Sequence, residues 1–228
     1  GNISASYEID SLNLLTASTT FLGYKADANA QNTNERWDKN SLLIYKFDNN
    51  MTTPGYSDLN LGGRFDYQHK THLDGEVLTL SYMLAATRPQ TTFRQTYSNM
   101  VNFPVSYTSY DQNTRERFTE HTFQIDYVRP FGKHHKIESG TKYILRNNNS
   151  TSLMDYQGTT PDMESKFKHK AQVAAAYLSY ILTAGKWAAR AGLRYEFTRM
   201  KASYPDGSNA DYHANLNDWV PSASLQYK

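Results

Sequence analysis

The sequence predicts an all-β protein, an antiparallel up-and-down meander of about nine or ten long strands that form a closed or partly closed barrel. Three observations predict it. Apolar and polar residues alternate with a period of two in many segments, the connections between these segments are alternately short and long, and the segments are unusually long. Period-two alternation is the main sequence signal of a strand with one apolar and one polar face.

The alternation is clearest in GKWAARAGLRYEFT, residues 185–198, where every second residue from Trp187 to Phe197 is apolar. Two arginines and a glutamate stand between them. Similar segments recur along the chain. The alanines of 171–191 would also allow a helix, but Gly185 and Gly192 disfavour it. The predicted strands are 2–9, 12–25, 58–70, 76–88, 118–129, 135–147, 167–182, 187–200 and 218–227.

Short and long connections alternate between these strands. Short turns are predicted at 10–11, 71–75, 130–134 and 183–186, and long polar loops at 27–57, 89–117, 148–165 and 201–216. The long segments are rich in Asn, Thr, Ser, Asp and Gly, as loops are. An apolar piece at 41–47 is expected to pair as a hairpin arm above the sheet. This layout is typical of a meander with one elaborated rim.

Strand length indicates the environment. Thirteen residues extend about 43 Å at roughly 3.3 Å per residue, and a tilt of roughly 40° lets them cross a hydrocarbon layer of about 30 Å. Tyrosines near strand ends, together with Trp187, would form interfacial girdles; these are Tyr7, Tyr24, Tyr67 and Tyr127. The pattern therefore favours an outer-membrane barrel, with an apolar face to lipid and a charged face to a wet lumen. A soluble β-sandwich also alternates, but it does not explain the long strands and the persistently charged face.

Composition excludes several classes. The charges nearly balance, with 24 Lys and Arg against 22 Asp and Glu, so no nucleic-acid partner is expected. Cysteine is absent, which rules out disulfides and thiolate sites within the sequence. Neither a signal peptide nor an apolar run of about 20 residues is visible. Because the chain opens on Gly1 and not on methionine, we expect a piece of a longer protein.

No catalytic, cofactor or metal site is expected. His69 and His72 lie around one turn and His134 and His135 in another, without a carboxylate at ligand spacing. The sequence also contains no G-x-S-x-G elbow. We therefore do not expect an enzyme.

Two sets of residues are candidates for functional contacts. The first set is expected to face the lumen and consists of Arg64, Asp66, Asp126, Glu138, Lys142, Arg190, Arg194 and Glu196. Their mixed signs favour a ladder of paired charges along a wet wall, with contact to a plug or a passing substrate as the alternative. The second set holds aromatic residues of the long connections, where binding residues concentrate. These ligand-contact candidates are Trp37, Tyr97, Phe103, Tyr107 and Tyr110.

Several motifs carry a family resemblance. AAYLSY followed by GKWAARAGLRYEFT and WVPSASLQYK resembles the barrel of TonB-dependent outer-membrane receptors. With DYVRPFGKHHKIESGTKYILRNNNS, the chain resembles more narrowly the related outer-membrane β-barrel family. The resemblance is strong over 121–228 and weaker through 58–90. It implies a 22-stranded barrel in outer-membrane lipid, closed around a plug domain, energised through TonB and importing a nutrient of unknown identity.

The sequence departs from the complete family pattern, since it shows no plug, no TonB box and no C-terminal aromatic strand end. We therefore expect residues 1–228 to be a partial barrel domain, a slice of the larger barrel. The alternative function is a soluble or surface small-barrel protein that binds an apolar ligand. In water without lipid, the arrangement would invert. Leu78, Leu80, Phe123, Ile125, Leu193 and Tyr195 would then be buried, with Arg190, Arg194 and Glu196 solvated.

Overall fold

The computed structural model describes residues 1–227, which form one antiparallel sheet. Its strands are β1 (Asn2–Glu8), β2 (Asn13–Trp37), β3 (Leu43–Lys70), β4 (Val77–Thr87), β5 (Gln90–Val101), β6 (Tyr107–Phe131), β7 (His135–Gly158), β8 (Met163–Ala184), β9 (Trp187–Ser203) and β10 (Tyr212–Tyr227). Neighbours in the sheet follow chain order, and β5 lies between β3 and β6. The predicted meander is confirmed. No helix among these residues is long and apolar enough to cross a membrane.

β5 continues β4 in the same place in the sheet. β3 pairs with β4 along 60–70 and with β5 along 46–57. The interruption falls at Arg88 and Pro89, since proline has no backbone N–H to give to the ladder. Backbone bonds still bridge the gap, with Arg88 N donating to Leu59 O at 3.0 Å and Glu116 N to Pro89 O at 2.9 Å. The ten strands therefore occupy nine positions, the number predicted from the sequence.

The predicted long loops are wrong in extent, because most of their residues continue the strands. β6 and β7 run for 25 and 24 residues, and the segments left between strands are 38–42, 102–106, 159–162 and 204–211. The ladder satisfies the backbone of these Asn-, Thr- and Ser-rich segments, whose polar side chains need no apolar surroundings. The apolar piece at 41–47 does form a hairpin arm, since its strand portion pairs with the end of β2.

The register divides the side chains between two faces, because direct antiparallel partners point to the same side of the sheet. We call the polar, less accessible side the inner face. It carries Ser81 and Thr122, which are 7% and 2% exposed. The outer face carries Phe123, Ile125 and Leu193, which are 47%, 48% and 46% exposed. The inverted arrangement expected in water is therefore wrong for this structure. Burial of small polar side chains and exposure of large apolar ones is the arrangement suited to lipid.

The exposed apolar residues of the outer face form a continuous band across the strands. In β9 the band runs from Trp187 to Phe197, and in β6 it runs from Phe123 to Phe131 and is interrupted by Arg129 near the short-turn margin. Both segments match the roughly 9–11 residues of a membrane-crossing strand. Aromatic pairs line both margins. At the short-turn margin, the ring centroids of Trp187 and Tyr227 lie 4.8 Å apart. Toward the opposite margin, the ring centroids of Tyr195 and Trp219 lie 4.7 Å apart.

One predicted girdle tyrosine is misplaced. Tyr24 pairs with Asp58 on the inner face, and its hydroxyl lies 3.3 Å from that of Tyr56. The prediction for Tyr24 rested on its distance from the strand end and ignored the alternation of faces.

Candidate functional site

An aromatic cluster covers the inner face beyond the apolar band, on the side of the long hairpins. Its rings are all half-buried. The closest centroid distances are 4.7 Å for Tyr97 and Phe103, 4.8 Å for Tyr107 and Tyr156, and 4.9 Å for Phe47 and Phe103. The aromatic cluster consists of Tyr45, Phe47, Phe93, Tyr97, Phe103, Tyr107, Tyr110 and Tyr156.

Strand register brings these rings together. Tyr110 of β6 is the direct partner of Gln95 in β5 and of Tyr156 in β7. Tyr97 of β5 is the partner of Asn49 in β3. Aromatic pairs on one face of a sheet contribute roughly 0.5–1.5 kcal/mol beyond their area burial. The cluster therefore stabilises β3, β5, β6 and β7 in the portion of the sheet that lies beyond the apolar band.

Gln95 holds two of the phenols in fixed positions. The Tyr110 hydroxyl donates to Gln95 Oε1 at 2.8 Å, and Gln95 Nε2 donates to the Tyr97 hydroxyl at 2.7 Å. Beside this bridge is a concavity of about 560 Å³. It is lined by Met51, Thr91, Phe93, Gln95, Tyr110, Gln112 and Thr114. The site thus combines ring faces with oriented hydroxyl and amide groups.

The phenols of Tyr97 and Tyr110 are neutral at physiological pH. Burial raises the pKa of Tyr97 to about 12, and burial also raises the pKa of Tyr110 above its ordinary value of 10.0. Both hydroxyls therefore keep their protons and can donate hydrogen bonds. A ligand here would be held by ring contacts and neutral hydrogen bonds.

Asn49 adds an unpaired acceptor next to the cluster. Its side chain is 6% exposed, and its Oδ1 accepts no hydrogen bond from any of the described residues. A buried acceptor left unpaired costs roughly 1–3 kcal/mol.

The structure brings together four of the five predicted ligand-contact residues, namely Tyr97, Phe103, Tyr107 and Tyr110. Trp37 stays apart. It is 53% exposed at the end of β2, and its indole Nε1 donates to Glu35 at 3.3 Å. Tyr45, Phe47, Phe93 and Tyr156 were missed because their segments were read as loops or counted only as apolar. The signal that could have found them is period-two alternation, as in β5, where Phe93, Gln95 and Tyr97 occupy every second position.

All eight predicted lumen-facing residues lie on the inner face by register. Arg64 lies 2.6 Å from Asp66, which also accepts a hydrogen bond from Ser81 at 2.5 Å. Arg194 lies 2.6 Å from Glu196. These short contacts along and across strands form a ladder of mixed charge.

Glu138 lies at the centre of another part of the ladder. It contacts Lys136 at 2.7 Å and Arg190 of β9 at 2.8 Å, so one carboxylate joins β7 to a strand two positions away. Lys142 makes no ion pair with any residue in the described part of the chain. It lies on the inner face between its direct cross-strand partners, Gln124 of β6 and Ala175 of β8.

Asp126 is held by hydrogen bonds. The Tyr177 hydroxyl of β8 donates to it across β7, and Gln124 Nε2 donates at 2.7 Å. The Tyr177 ring passes over Gly140, where an added Cβ would lie 2.6 Å from Tyr177 Cε1. A residue without a side chain is therefore needed at position 140. Among residues 1–227, no three His, Asp or Glu side chains gather where they could share a metal ion.

Comparison with known proteins identifies the fold family. The model of the outer membrane protein beta-barrel family matches residues 69–228, which are 160 of the 228 residues. The chain belongs to this family. Outer-membrane lipid is therefore the surroundings of the apolar band, and the protein is located in the outer membrane.

The chain is similar to parts of solved outer-membrane receptors and transporters. The alcaligin outer membrane receptor FauA from Bordetella pertussis matches with a TM-score of 0.53 at 16% identity, over 100% of this chain and 32% of that chain. The siderophore receptor PiuA from Acinetobacter baumannii matches with a TM-score of 0.48 at 10% identity, over 100% and 45%. The ferric citrate transporter FecA matches with a TM-score of 0.44 at 11% identity, over 100% and 41%.

This outer-membrane barrel chain spans less than half the length of each of these three structures. At such identities the likeness concerns the fold alone. A search of curated proteins found no match.

Proposed function

We propose that this chain is part of the barrel of a TonB-dependent receptor, which binds a nutrient at the aromatic cluster and imports it. The observation that carries the proposal is the position of the cluster. It lies on the polar inner face, beyond the apolar band, where a molecule entering a barrel from the long-hairpin side would meet it. The shared fold with FauA, named as the receptor for alcaligin, supports a receptor.

The chemistry of the cluster restricts the ligand. Eight rings offer apolar and π surface, and the phenols of Tyr97 and Tyr110 stay protonated at neutral pH. Asn49 Oδ1 has no hydrogen-bond partner among the described residues. We therefore expect a nutrient with an apolar or aromatic surface and hydrogen-bonding groups, bound without a direct ion pair to the cluster.

The ladder of mixed charge suits the wall of a lumen that holds another polar body. Most of its carboxylates are already paired by neighbours, as Asp66 is by Arg64 and Ser81. Within residues 1–227, Lys142 is a cation of this ladder that has no ion-pair partner. We infer that further strands complete the barrel, that a plug domain fills it and contacts this wall, and that TonB supplies the energy.

The alternative, a soluble small barrel around an apolar ligand, fits less well. It needs the apolar positions enclosed, whereas Phe123, Ile125 and Leu193 are exposed and the enclosed side is polar.

The test compares two aromatic substitutions in the full-length protein on cells. Uptake of labelled ferric chelates, vitamins and oligosaccharides is measured with and without TonB. For the nutrient taken up, Tyr97→Ala should weaken binding about tenfold or more, since a buried ring contributes roughly 1.5–3 kcal/mol. Trp37→Ala is the matched control, an exposed aromatic of the same rim outside the cluster, and should bind normally.

Two results would contradict the proposal separately. Uptake that continues without TonB would exclude the energised receptor. Equal binding by the Tyr97→Ala variant and the unchanged protein would exclude the aromatic cluster as the contact site.

A further inference from the structure

A cationic patch lies on the outer face just beyond the apolar band. It consists of Lys168 and Lys170 of β8 and of Arg199 and Lys201 of β9, with His213 of β10 beside them. All five side chains are exposed. Register places them on the same face as the lipid-facing residues, since Gln172 pairs with Arg199 and with the outer-face Leu145.

The arrangement within the patch is electrostatically unfavourable by itself. Lys170 is the direct cross-strand partner of Lys201. Like charges directly opposite each other destabilise a sheet. The repulsion between Lys170 and Lys201 would be relieved by an anion bound between them.

The protein supplies little negative charge at this place. Asp211 Oδ2 lies 4.0 Å from Lys201 Nζ, at the limit of an ion pair. Lys168, Lys170 and Arg199 make no ion pair with any of residues 1–227. By contrast, nearby Lys166 is neutralised by Glu164 at 2.6 Å. The patch therefore keeps an excess positive charge.

The height of the patch matches that of lipid headgroups. Arg199 follows Phe197, the last apolar outer-face residue of β9, by two positions, and a strand rises about 6.6 Å over two residues. Lys170, Gln172, Arg199, Met200, Lys201 and His213 surround a concavity of about 380 Å³. Cations at this level face the polar layer that borders the hydrocarbon.

The positive row continues along the sheet beyond the concavity. Arg117 of β6 is the partner of Asn149, which is in turn the partner of Lys168. Arg117 is exposed and makes no ion pair within the described part of the chain. Positive charge thus extends from Lys168 across β7 to Arg117 on β6, at a level farther from the apolar band than that of Arg199.

We propose that the cationic patch binds the phosphate groups of an anionic lipid headgroup, in the leaflet on the side of the long hairpins. Phosphates would separate the opposed Lys170 and Lys201 charges, and several cations in one concavity suit a headgroup with more than one phosphate. Each cation near an anionic membrane surface contributes about 1 kcal/mol. The inference depends on the outer-membrane location and is independent of nutrient import.

The experiment measures lipid binding by the full-length protein in phosphatidylcholine nanodiscs, by native mass spectrometry with added lipid A. The double variant Lys170→Gln/Lys201→Gln should bind bis-phosphorylated lipid A about tenfold or more weakly, since each cation contributes about a factor of five. Lys133→Gln/Lys186→Gln, which removes the same charge from the short turns at the opposite margin, is the matched control and should bind normally. Lipid A without phosphates should bind weakly to all three proteins, and inorganic phosphate at equal concentration should not compete.

A second variant covers the case in which the double variant folds poorly. Asp211→Asn removes the nearby negative charge and should strengthen binding of lipid A. Equal binding by the Lys170→Gln/Lys201→Gln variant and the unchanged protein would overturn the proposal. So would an equal loss in the Lys133→Gln/Lys186→Gln control, equal binding of the dephosphorylated lipid, or no gain for Asp211→Asn.

Discussion

Single residues of the inner face have roles that depend on their exact neighbours across strands. Tyr177 on β8 reaches over Gly140 on β7 to donate to Asp126 on β6. An added Cβ at position 140 would also lie 2.6 Å from the Ile125 carbonyl oxygen. Because that oxygen is part of the backbone, the sheet itself would have to move.

We predict that Gly140→Ala destabilises the barrel by about 1–3 kcal/mol, the usual cost of overpacking. The measurement is thermal unfolding in detergent of the full-length protein. Gly63→Ala is the control, since the nearest atom to its Cβ would be Leu84 Cβ at an ordinary 3.9 Å. A loss for the control as large as that for Gly140→Ala would contradict the explanation.

The alternation of apolar and polar residues predicts on which face of the sheet each charged residue lies. Arg64, Glu138 and Arg194 were therefore assigned to the same face from the sequence alone. The contacts among them were not predictable, because they depend on the register between strands. Nothing local to Gly140 indicates that Tyr177 lies above it, 37 positions further along the chain. The assignment of Tyr24 to a girdle had a different cause, since the alternation of faces was ignored there.

At the scale of elements, the strands extend much further than their apolar portions. The end of the apolar alternation was taken as the end of each strand, which is correct only where a strand needs one dry face. In water a ladder can continue with Asn, Thr and Ser, and a proline such as Pro89 interrupts it only locally. The strand count could therefore be predicted and the strand lengths could not.

The loop 204–211 between β9 and β10 is held to β8 by Asp206. Its carboxylate accepts from Lys166 N at 2.6 Å and from Ser208 N at 3.0 Å. Backbone hydrogen bonds from Ser208 and Lys166 lower the pKa of Asp206 from 3.8 to about 2. A lowered pKa in the folded state means that the stabilisation is complete above about pH 4 and is lost as the pH falls through about 2.

We predict that the Ser208 amide resonance shifts with a midpoint near pH 2 in NMR spectra of the protein in detergent. Asp206→Asn should abolish the titration and increase hydrogen exchange at the Lys166 amide. A midpoint near 4 in the unchanged protein would show that the loop is not held by these bonds.

At the scale of the whole molecule, the two ends of the sheet differ. The segments 38–42, 102–106, 159–162 and 204–211 lie at one end, and the short turns such as 132–134 and 185–186 lie at the other. Short turns toward the periplasm and longer hairpins outward are the usual arrangement of outer-membrane barrels.

We predict that an epitope tag inserted in 204–211 of the full-length protein binds antibody on intact cells. A tag in 132–134 should bind only after the outer membrane is permeabilised. The reverse accessibility would show that the barrel has the opposite orientation, and would place the aromatic cluster on the periplasmic side.

In the membrane, the apolar outer face contacts lipid while the charged inner face contacts water. Spin labels placed singly at cysteines introduced along 189–197 of the reconstituted full-length protein test this arrangement. Oxygen collisions, which report lipid, should peak at 189, 191, 193, 195 and 197, and collisions with a water-soluble nickel chelate should peak at 190, 192, 194 and 196. Oxygen collisions that peak at the even-numbered positions, or that show no period of two, would show that the apolar outer face does not contact lipid.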